Sequence, residues 1–143
     1  MKLNMVYIRE AGYKDVNFIL NSWQRSFKHS LKDCSESIYN AKHEKLIIKL
    51  LSKCQCLMAV NPEDLYQIYG WVCFDALKEI GIMHYMYVKH PYRKYGIGTQ
   101  LFKMIEHDKK YPCMVSHTTR HYKHIKNKWN LTFNPYLLLE IDK

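Results

Sequence analysis

A single mixed α/β domain spanning residues 1–143 is what this sequence predicts, with a mainly antiparallel sheet that ends in a parallel crossover. Three observations carry that expectation. Residues 82–109 read as a strand, a glycine turn and a helix; two upstream stretches carry apolar stripes at helical spacing; and two short strand-like runs flank a turn signal. With 48% hydrophobic and 24% charged residues, the chain has the composition of an ordinary globular domain and enough length for a real core.

Leu3 to Glu10 alternates and reads as an opening strand, broken at Ala11-Gly12-Tyr13-Lys14. Asp15 is placed to cap a helix whose apolar stripe is Val16, Ile19, Leu20, Trp23 and Phe27. Ser35 or Ser37 starts a second helix, with Leu46, Ile47, Leu50 and Leu51 toward the core and Lys42, Lys45, Lys49 and Lys53 toward solvent. Cys56 to Val60 is a short strand closed by the turn Asn61-Pro62-Glu63-Asp64, and Gln67 to Asp75 returns antiparallel to it. Gly70 inside that strand marks a bulge or a close backbone approach. Ile82 to Val88, aromatic and β-branched, is the next strand. Leu101, Met104, Ile105 and Asp108 then repeat at helical spacing. Cys113 to His117 reads as a fifth strand, parallel to Ile82–Val88 because a helix separates them. Arg120 to Trp129 reads as a short helix and Leu131 to Ile141 as a closing strand with Leu137, Leu138 and Leu139 in the core.

Between the fourth strand and its helix lie Pro91, Gly96 and Gly98. A strand that turns through glycines into a helix leaves backbone N–H groups unpaired and pointing one way, at the positive end of the helix dipole. That is a cradle for an anion, usually phosphate. The spacing fits neither the three-glycine dinucleotide fingerprint nor the Gly-Lys-Ser/Thr of a Walker loop.

Arg93-Lys94-Tyr95-Gly96-Ile97-Gly98 matches the (Gln/Arg)-x-x-Gly-x-(Gly/Ala) signature of the GCN5-related N-acetyltransferase (GNAT) superfamily, and the Tyr-Val ending of the preceding strand resembles that family's fourth strand. The resemblance implies a twisted central sheet with helices on both faces, in which the fourth and fifth strands splay apart to admit the pantetheine arm of acetyl-coenzyme A. It implies direct attack of a primary amine on the thioester. The cofactor-binding positions it assigns are Tyr87, Val88, Arg93, Lys94, Tyr95, Gly96, Ile97, Gly98 and Thr99: a strand bulge at Tyr87 or Val88 frees an N–H for the thioester carbonyl, and the turn holds the pyrophosphate. The loop from Ser26 to Ser37 would face the acceptor.

The catalytic pair is less conventional. Members often carry a glutamate base on the fourth strand, where this chain has no acid; His84 is its one side chain of a type that exchanges protons near neutral pH, with Ser116 and His117 in reserve. Members also place a tyrosine near the end of the last helix, before a Gly-Phe pair, where this chain has Lys126-Asn127-Lys128-Trp129-Asn130-Leu131. Tyr122 and Tyr136 are the candidates to protonate the leaving thiolate, with Tyr122 preferred.

Charge and cysteines bound the remaining classes. The formal charge is +9, and residues 89–128 hold ten Lys or Arg against Glu106 and Asp108, a net +8. Coenzyme A carries roughly four negative charges, so it cannot account for this field alone. The surplus is a solvated face or receives a polyanion or an acidic protein. His90, His107, His117, His121 and His124 lie in the same segment, so its charge should grow on acidification. Five cysteines without a zinc-type pair of pairs read as free thiols, with no metal site. The apolar run at the N-terminus is too short for a signal peptide and none is membrane-spanning, which predicts a cytoplasmic protein, monomeric or homodimeric. Two alternatives to the acyltransferase are a nucleic-acid-directed protein, as some phage-encoded proteins of this fold are, and a non-catalytic protein-binding module.

Overall fold

The computed structural model describes residues 5–77, 80–106, 110–119 and 121–140. Its sheet has six strands in sequence order: β1 (Tyr7–Glu10), β2 (Gln55–Asn61), β3 (Asp64–Leu77), β4 (Ile80–Val88), β5 (Cys113–Val115) and β6 (Leu131–Phe133). β1 to β4 form an antiparallel meander; β4/β5 and β5/β6 are parallel. Alternation along β3 divides the core. Ile68, Trp71 and Cys73 pack with α1 (Val16–Phe27) and α2 (Glu36–Lys53), whereas Tyr69, Val72 and Phe74 pack with α3 (Ile97–Lys103) and the flank of α4 (Tyr122–Ile125). Helices therefore cover both faces, as expected.

Asp15 does not cap α1. Its carboxylate turns back to accept the Gly12 N–H at 2.8 Å and both terminal nitrogens of Arg9 at 2.6 and 2.9 Å. The arginine fork outcompetes the helix N–H groups for a buried carboxylate, and it holds Asp15 below the usual carboxylate range. Ser35 caps α2, accepting the Ile38 N–H. The buried face of α2 begins earlier than Leu46, since Tyr39 and His43 precede Ile47 and Leu50 at helical spacing.

Two one-residue bulges shape the sheet, besides a wider shift between Val60 and Asn61 beside the β2/β3 turn. Tyr69 is the extra residue of β3 where Ala59 faces Gly70 and Val60 faces Ile68. His84 is the extra residue of β4 where Cys73 faces Tyr85 and Phe74 faces Met83. From Tyr85 to Val88 the β3/β4 register is regular, so the bulge expected at Tyr87 or Val88 sits earlier, at His84.

The closing strand is also shorter than expected. β6 ends at Phe133 because Asn134 accepts the Tyr136 N–H on its side chain and Pro135 has no N–H to give a ladder. Pro135–Glu140 coils into a 3₁₀ helix; Leu138 packs against the α1/α2 core, but Leu139 is 70% exposed. The helical stripe of α3 stops at Lys103, although Ile105 still packs inward. Leu3, His107, Asp108, Arg120 and Ile141 lie outside the described residues. No helix among the described residues is long and apolar enough to cross a membrane.

Candidate active site

β4 and β5 pair only at Ile82 with Met114 and Met83 with Val115. β4 then runs on to Val88, while β5 ends at Val115, so the two strands leave a wedge between them. A cavity of about 580 Å³ fills it. Its walls are β4 from Met83 to Val88 on one side and His117, Tyr122 and Trp129 on the other. The splay implied by the resemblance is present.

The glycine turn closes one end. A 3₁₀ turn, His90–Tyr92, with Pro91 inside it, leads to Arg93, whose Nε donates to the Val88 carbonyl at 2.9 Å and ties the turn to the strand. Lys94 (φ +73°) and Gly96 (φ +81°) are left-handed, a conformation that costs a residue with a Cβ about 1 kcal/mol or more. The first backbone N–H to bond back within α3 is that of Gln100, to Gly96 O at 3.1 Å. The N–H groups of Ile97, Gly98 and Thr99 thus precede any helical acceptor. A Cβ on Gly98 would rest 3.5 Å from Met86 Sδ and 3.7 Å from Trp129, ordinary contacts that an alanine could make. Tyr95 points elsewhere: it is 40% exposed and does not line the cavity.

Val88 gives its carbonyl to Arg93 instead of to β3. A strand residue directs its N–H and C=O to the same edge, so the Val88 N–H faces the open side, and Tyr87, its neighbour, turns toward β3. Of the two positions expected to offer an N–H, the geometry selects Val88.

His84, pushed out of register by its bulge, is buried and lines the cavity. Its Nδ1 lies 2.7 Å from Ser116 Oγ, which lies 2.9 Å from His117 Nδ1. His117 Nε2 is in turn 3.3 Å from His43 Nε2, and His43 Nδ1 is 3.1 Å from Gln24 Oε1. The base candidate and both reserves are therefore one connected cluster, together with His43, which the sequence reading missed. Its position on the Tyr39–Ile47 stripe was the available signal.

Burial pushes His43 down to about 4 and His117 to about 3, the latter helped by His43 and His84. His117 accordingly adds nothing to the basic segment's charge near neutral pH. A histidine held neutral in the fold and free to protonate near 6.5 when unfolded destabilises the fold in acid, because the unfolded state binds the extra protons. The loss starts below about pH 6.5 and continues toward the folded values. Between pH 6.5 and 5.5 the two together should remove about 2 kcal/mol, at up to about 1.4 kcal/mol per pH unit each. Urea unfolding across that range measures it; a flat profile would contradict the assignment.

Tyr122 lines the cavity, and its hydroxyl accepts the Phe133 N–H at 3.2 Å, keeping its own proton for donation. Tyr136 is 72% exposed and outside the cavity. Asn130 (φ +52°) makes the left-handed turn into β6 that a glycine would make, and Leu131 takes the first inward position. Of the Ser26–Ser37 segment, Ser26 alone lines the cavity, its hydroxyl 2.8 Å from that of Tyr85.

Residues 17–120 match the acetyltransferase (GNAT) family profile. Among solved structures, a putative acetyl transferase from Pyrococcus furiosus is 17% identical, with a TM-score of 0.54 over 96% of this chain and 91% of that one. Apo-form YjaB from Escherichia coli is 21% identical, with a TM-score of 0.51 over 71% of this chain and 64% of that one, so the alignment spans slightly less than two thirds of YjaB. These likenesses concern the fold. No curated protein sequence matches the chain.

Proposed function

The chain belongs to the acetyltransferase (GNAT) family, and from that premise we propose that it moves an acetyl group from acetyl-coenzyme A to a primary amine by direct attack. The observation that carries this reading is the wedge between β4 and β5, with a glycine turn at one end and His84 on its wall. The donor supplies the activated thioester; the chain supplies position, polarity and proton transfer.

The N–H groups of Gly96 to Thr99, with the exposed Lys94, hold the pyrophosphate. Arg93 serves chiefly as a strut, since its Nε is committed to Val88. Met86, Val88 and Trp129 give the pantetheine an apolar wall. The Val88 N–H polarises the thioester carbonyl, an interaction that strengthens as the oxygen gains charge. His84 takes the amine proton, and Tyr122 returns one to the departing sulfur. Tyr95 drops out of the binding set.

A second reading is supported by the surface: Lys94, Lys103, Lys110, Lys123, Lys126 and Lys128 are all exposed, with Tyr111 beside them, which suits a nucleic-acid backbone. One titration separates the two. Thermal unfolding with acetyl-coenzyme A at about a hundred times its dissociation constant should gain about 2.7 kcal/mol, a rise of several degrees, that persists at moderate salt and is absent in Gly96→Glu. A rise with duplex or single-stranded DNA that collapses as salt increases, and none with acetyl-coenzyme A, would favour the second reading over the first.

A further inference from the structure

We infer that Cys54 is a peroxide-reactive thiol with Cys73 as its resolving partner, a modification site in contact with the candidate base, His84. The site stands on the geometry of the thiols. Its effect on turnover rests on the acyl-transfer reading.

The sheet brings the thiols together. Cys56 faces Cys73 across the β2/β3 ladder, and Cys54, two residues before Cys56 in extended backbone, points to the same side. All three belong to the α1/α2 side of the sheet, Cys73 within that core and the other two packed against it. Cys54 Sγ is within hydrogen-bonding reach of both the Cys73 thiol and the His84 imidazole. The bulge makes the second contact possible: His84 is the extra residue of β4 between Met83, which faces Phe74, and Tyr85, which faces Cys73. His84 thus joins the wedge cavity, which it lines, to a thiol that lines no part of that cavity.

The three thiols are not equivalent. Cys73 is fully buried, whereas Cys54 is half-buried at the junction of α2 and β2. A negative charge shared between two touching sulfurs settles on the one that keeps contact with water, and the buried one keeps its proton. Donation from Cys73, with a smaller contribution from His84, holds Cys54 below the usual thiol range, against the opposing effects of burial and Asp75. The same bond, together with burial, pushes Cys73 up. The C-terminal end of α2 also disfavours a charge on Cys54, so the two donors carry the effect. Burial pushes Cys56 up to about 12, which leaves it a thiol. One partly exposed thiolate touching one protonated thiol is the arrangement that a peroxide oxidises to a disulfide.

Hydrogen peroxide is the oxidant. The Cys54 thiolate attacks one peroxide oxygen; the O–O bond breaks, an S–O bond forms, and the leaving hydroxide takes up a proton, equivalent to the one Cys54 gave up, to become water. The Cys73 sulfur then attacks the Cys54 sulfenic acid: the S–S bond forms, the S–O bond breaks, and the Cys73 proton leaves with the hydroxide as a second water. The two sulfurs give up two electrons in all and the peroxide takes them. Closing the contact to the about 2.05 Å of a disulfide moves Cys54 rather than Cys73, because Cys54 lies outside the strands and β3 is paired on both edges. A disulfide sulfur has no proton to donate and no charge with which to accept one. The buried His84 imidazole then loses one of the contacts that fix it on the cavity wall.

Two measurements decide it. The full chain, reduced and then exposed to a few equivalents of hydrogen peroxide, is digested without reductant and mapped by mass spectrometry. The expected product is a Cys54–Cys73 cross-link, lighter by two hydrogens. In Cys73→Ala the sulfenic acid has no partner, and dimedone should trap it on Cys54. Alkylation of the reduced wild type at pH 7, which needs no variant, should label Cys54 about fivefold faster than the exposed Cys34. Peroxide that modifies Cys34 while Cys54 and Cys73 stay reduced, a cross-link through Cys56, or alkylation no faster than at Cys34 overturns the site. Turnover is then followed as loss of thioester absorbance from acetyl-coenzyme A with a panel of small primary amines. The cross-linked form should be about tenfold slower than the reduced form or worse, dithiothreitol should restore it, and Cys54→Ser should not respond to peroxide. A cross-link with no loss of turnover overturns the tie to His84 and leaves acyl transfer intact. A wild type that neither binds acetyl-coenzyme A nor turns over removes the acyl-transfer reading, and the peptide map alone then decides whether Cys54 and Cys73 are a peroxide site.

Discussion

Replacing His84 by Gln should reduce kcat by roughly 10²–10³-fold, leaving acetyl-coenzyme A binding and the unfolding midpoint close to wild type. Gln keeps a hydrogen-bonding group near Ser116 Oγ, which lies 2.7 Å from the imidazole, so the buried hydroxyl is not orphaned. It cannot take up a proton. The bulge makes this position unusual, because a β4 in unbroken register would carry each later residue on the opposite face. His84 therefore owes its place beside Ser116 and His117 to one extra residue. His84→Ala should lose as much activity but also stability, since it removes buried contacts and leaves Ser116 with one partner fewer. Stopped assays of thiol release, run beside thermal titration with acetyl-coenzyme A, separate these effects. Full activity in His84→Gln would reassign the base to another residue on the wedge, with His117 first in line.

What was legible beforehand follows from how local each signal is. Gly96 announced itself because a left-handed turn into a helix restricts residue choice at the position itself, and its φ of +81° is that restriction made visible; Gly98, already helical, was legible only by its spacing from Gly96. The alternation of Gln67 to Asp75 predicted two faces, Tyr69 with Trp71 and Cys73 against Ile68 with Val72 and Phe74; β3 has two faces, but the bulge at Tyr69 exchanges Ile68 and Tyr69 between them. The bulge at His84 was not legible. It is a matter of register between β3 and β4, and register is settled by what each strand meets across the sheet. The histidine cluster was invisible for the same reason: His43 and His117 are 74 residues apart and meet only when α2 lies over the end of β5. Even so, half of it was available, because His43 completes a helical stripe whose other members are apolar, and a polar residue at a core position asks for a buried partner. Leu137, Leu138 and Leu139 misled in the opposite direction. A short apolar run does not say strand or coil, and Pro135 decided it.

Gly70→Ala should be the most damaging of the methyl additions at Gly12, Gly70 and Gly98, costing about 3–4 kcal/mol and abolishing the acetyl-coenzyme A stabilisation of whatever remains folded. A Cβ at this position would stand 2.5 Å from the Tyr87 carbonyl oxygen and 3.1 Å from Val88 Cα. Both are backbone atoms, so no rotamer change relieves the clash; β3 and β4 must separate. They would separate at the site. Gly70 faces Val88 in the register, next to the Tyr69 bulge, and the Tyr69 carbonyl accepts the Lys89 N–H at 2.8 Å just where β4 leaves the sheet. The glycine thus lets β3 press against the last residues of β4 and fixes the direction in which the Val88 N–H enters the wedge. Gly98→Ala is the control, since its methyl would meet Met86 and Trp129 only at ordinary contact distance. Urea unfolding of the two variants, each with and without acetyl-coenzyme A, should leave Gly98→Ala near wild type and Gly70→Ala far below it. A Gly70→Ala protein that unfolds and binds like wild type would mean that the β3/β4 contact is looser than 2.5 Å implies, and the Val88 N–H would lose its claim to a fixed position in the site.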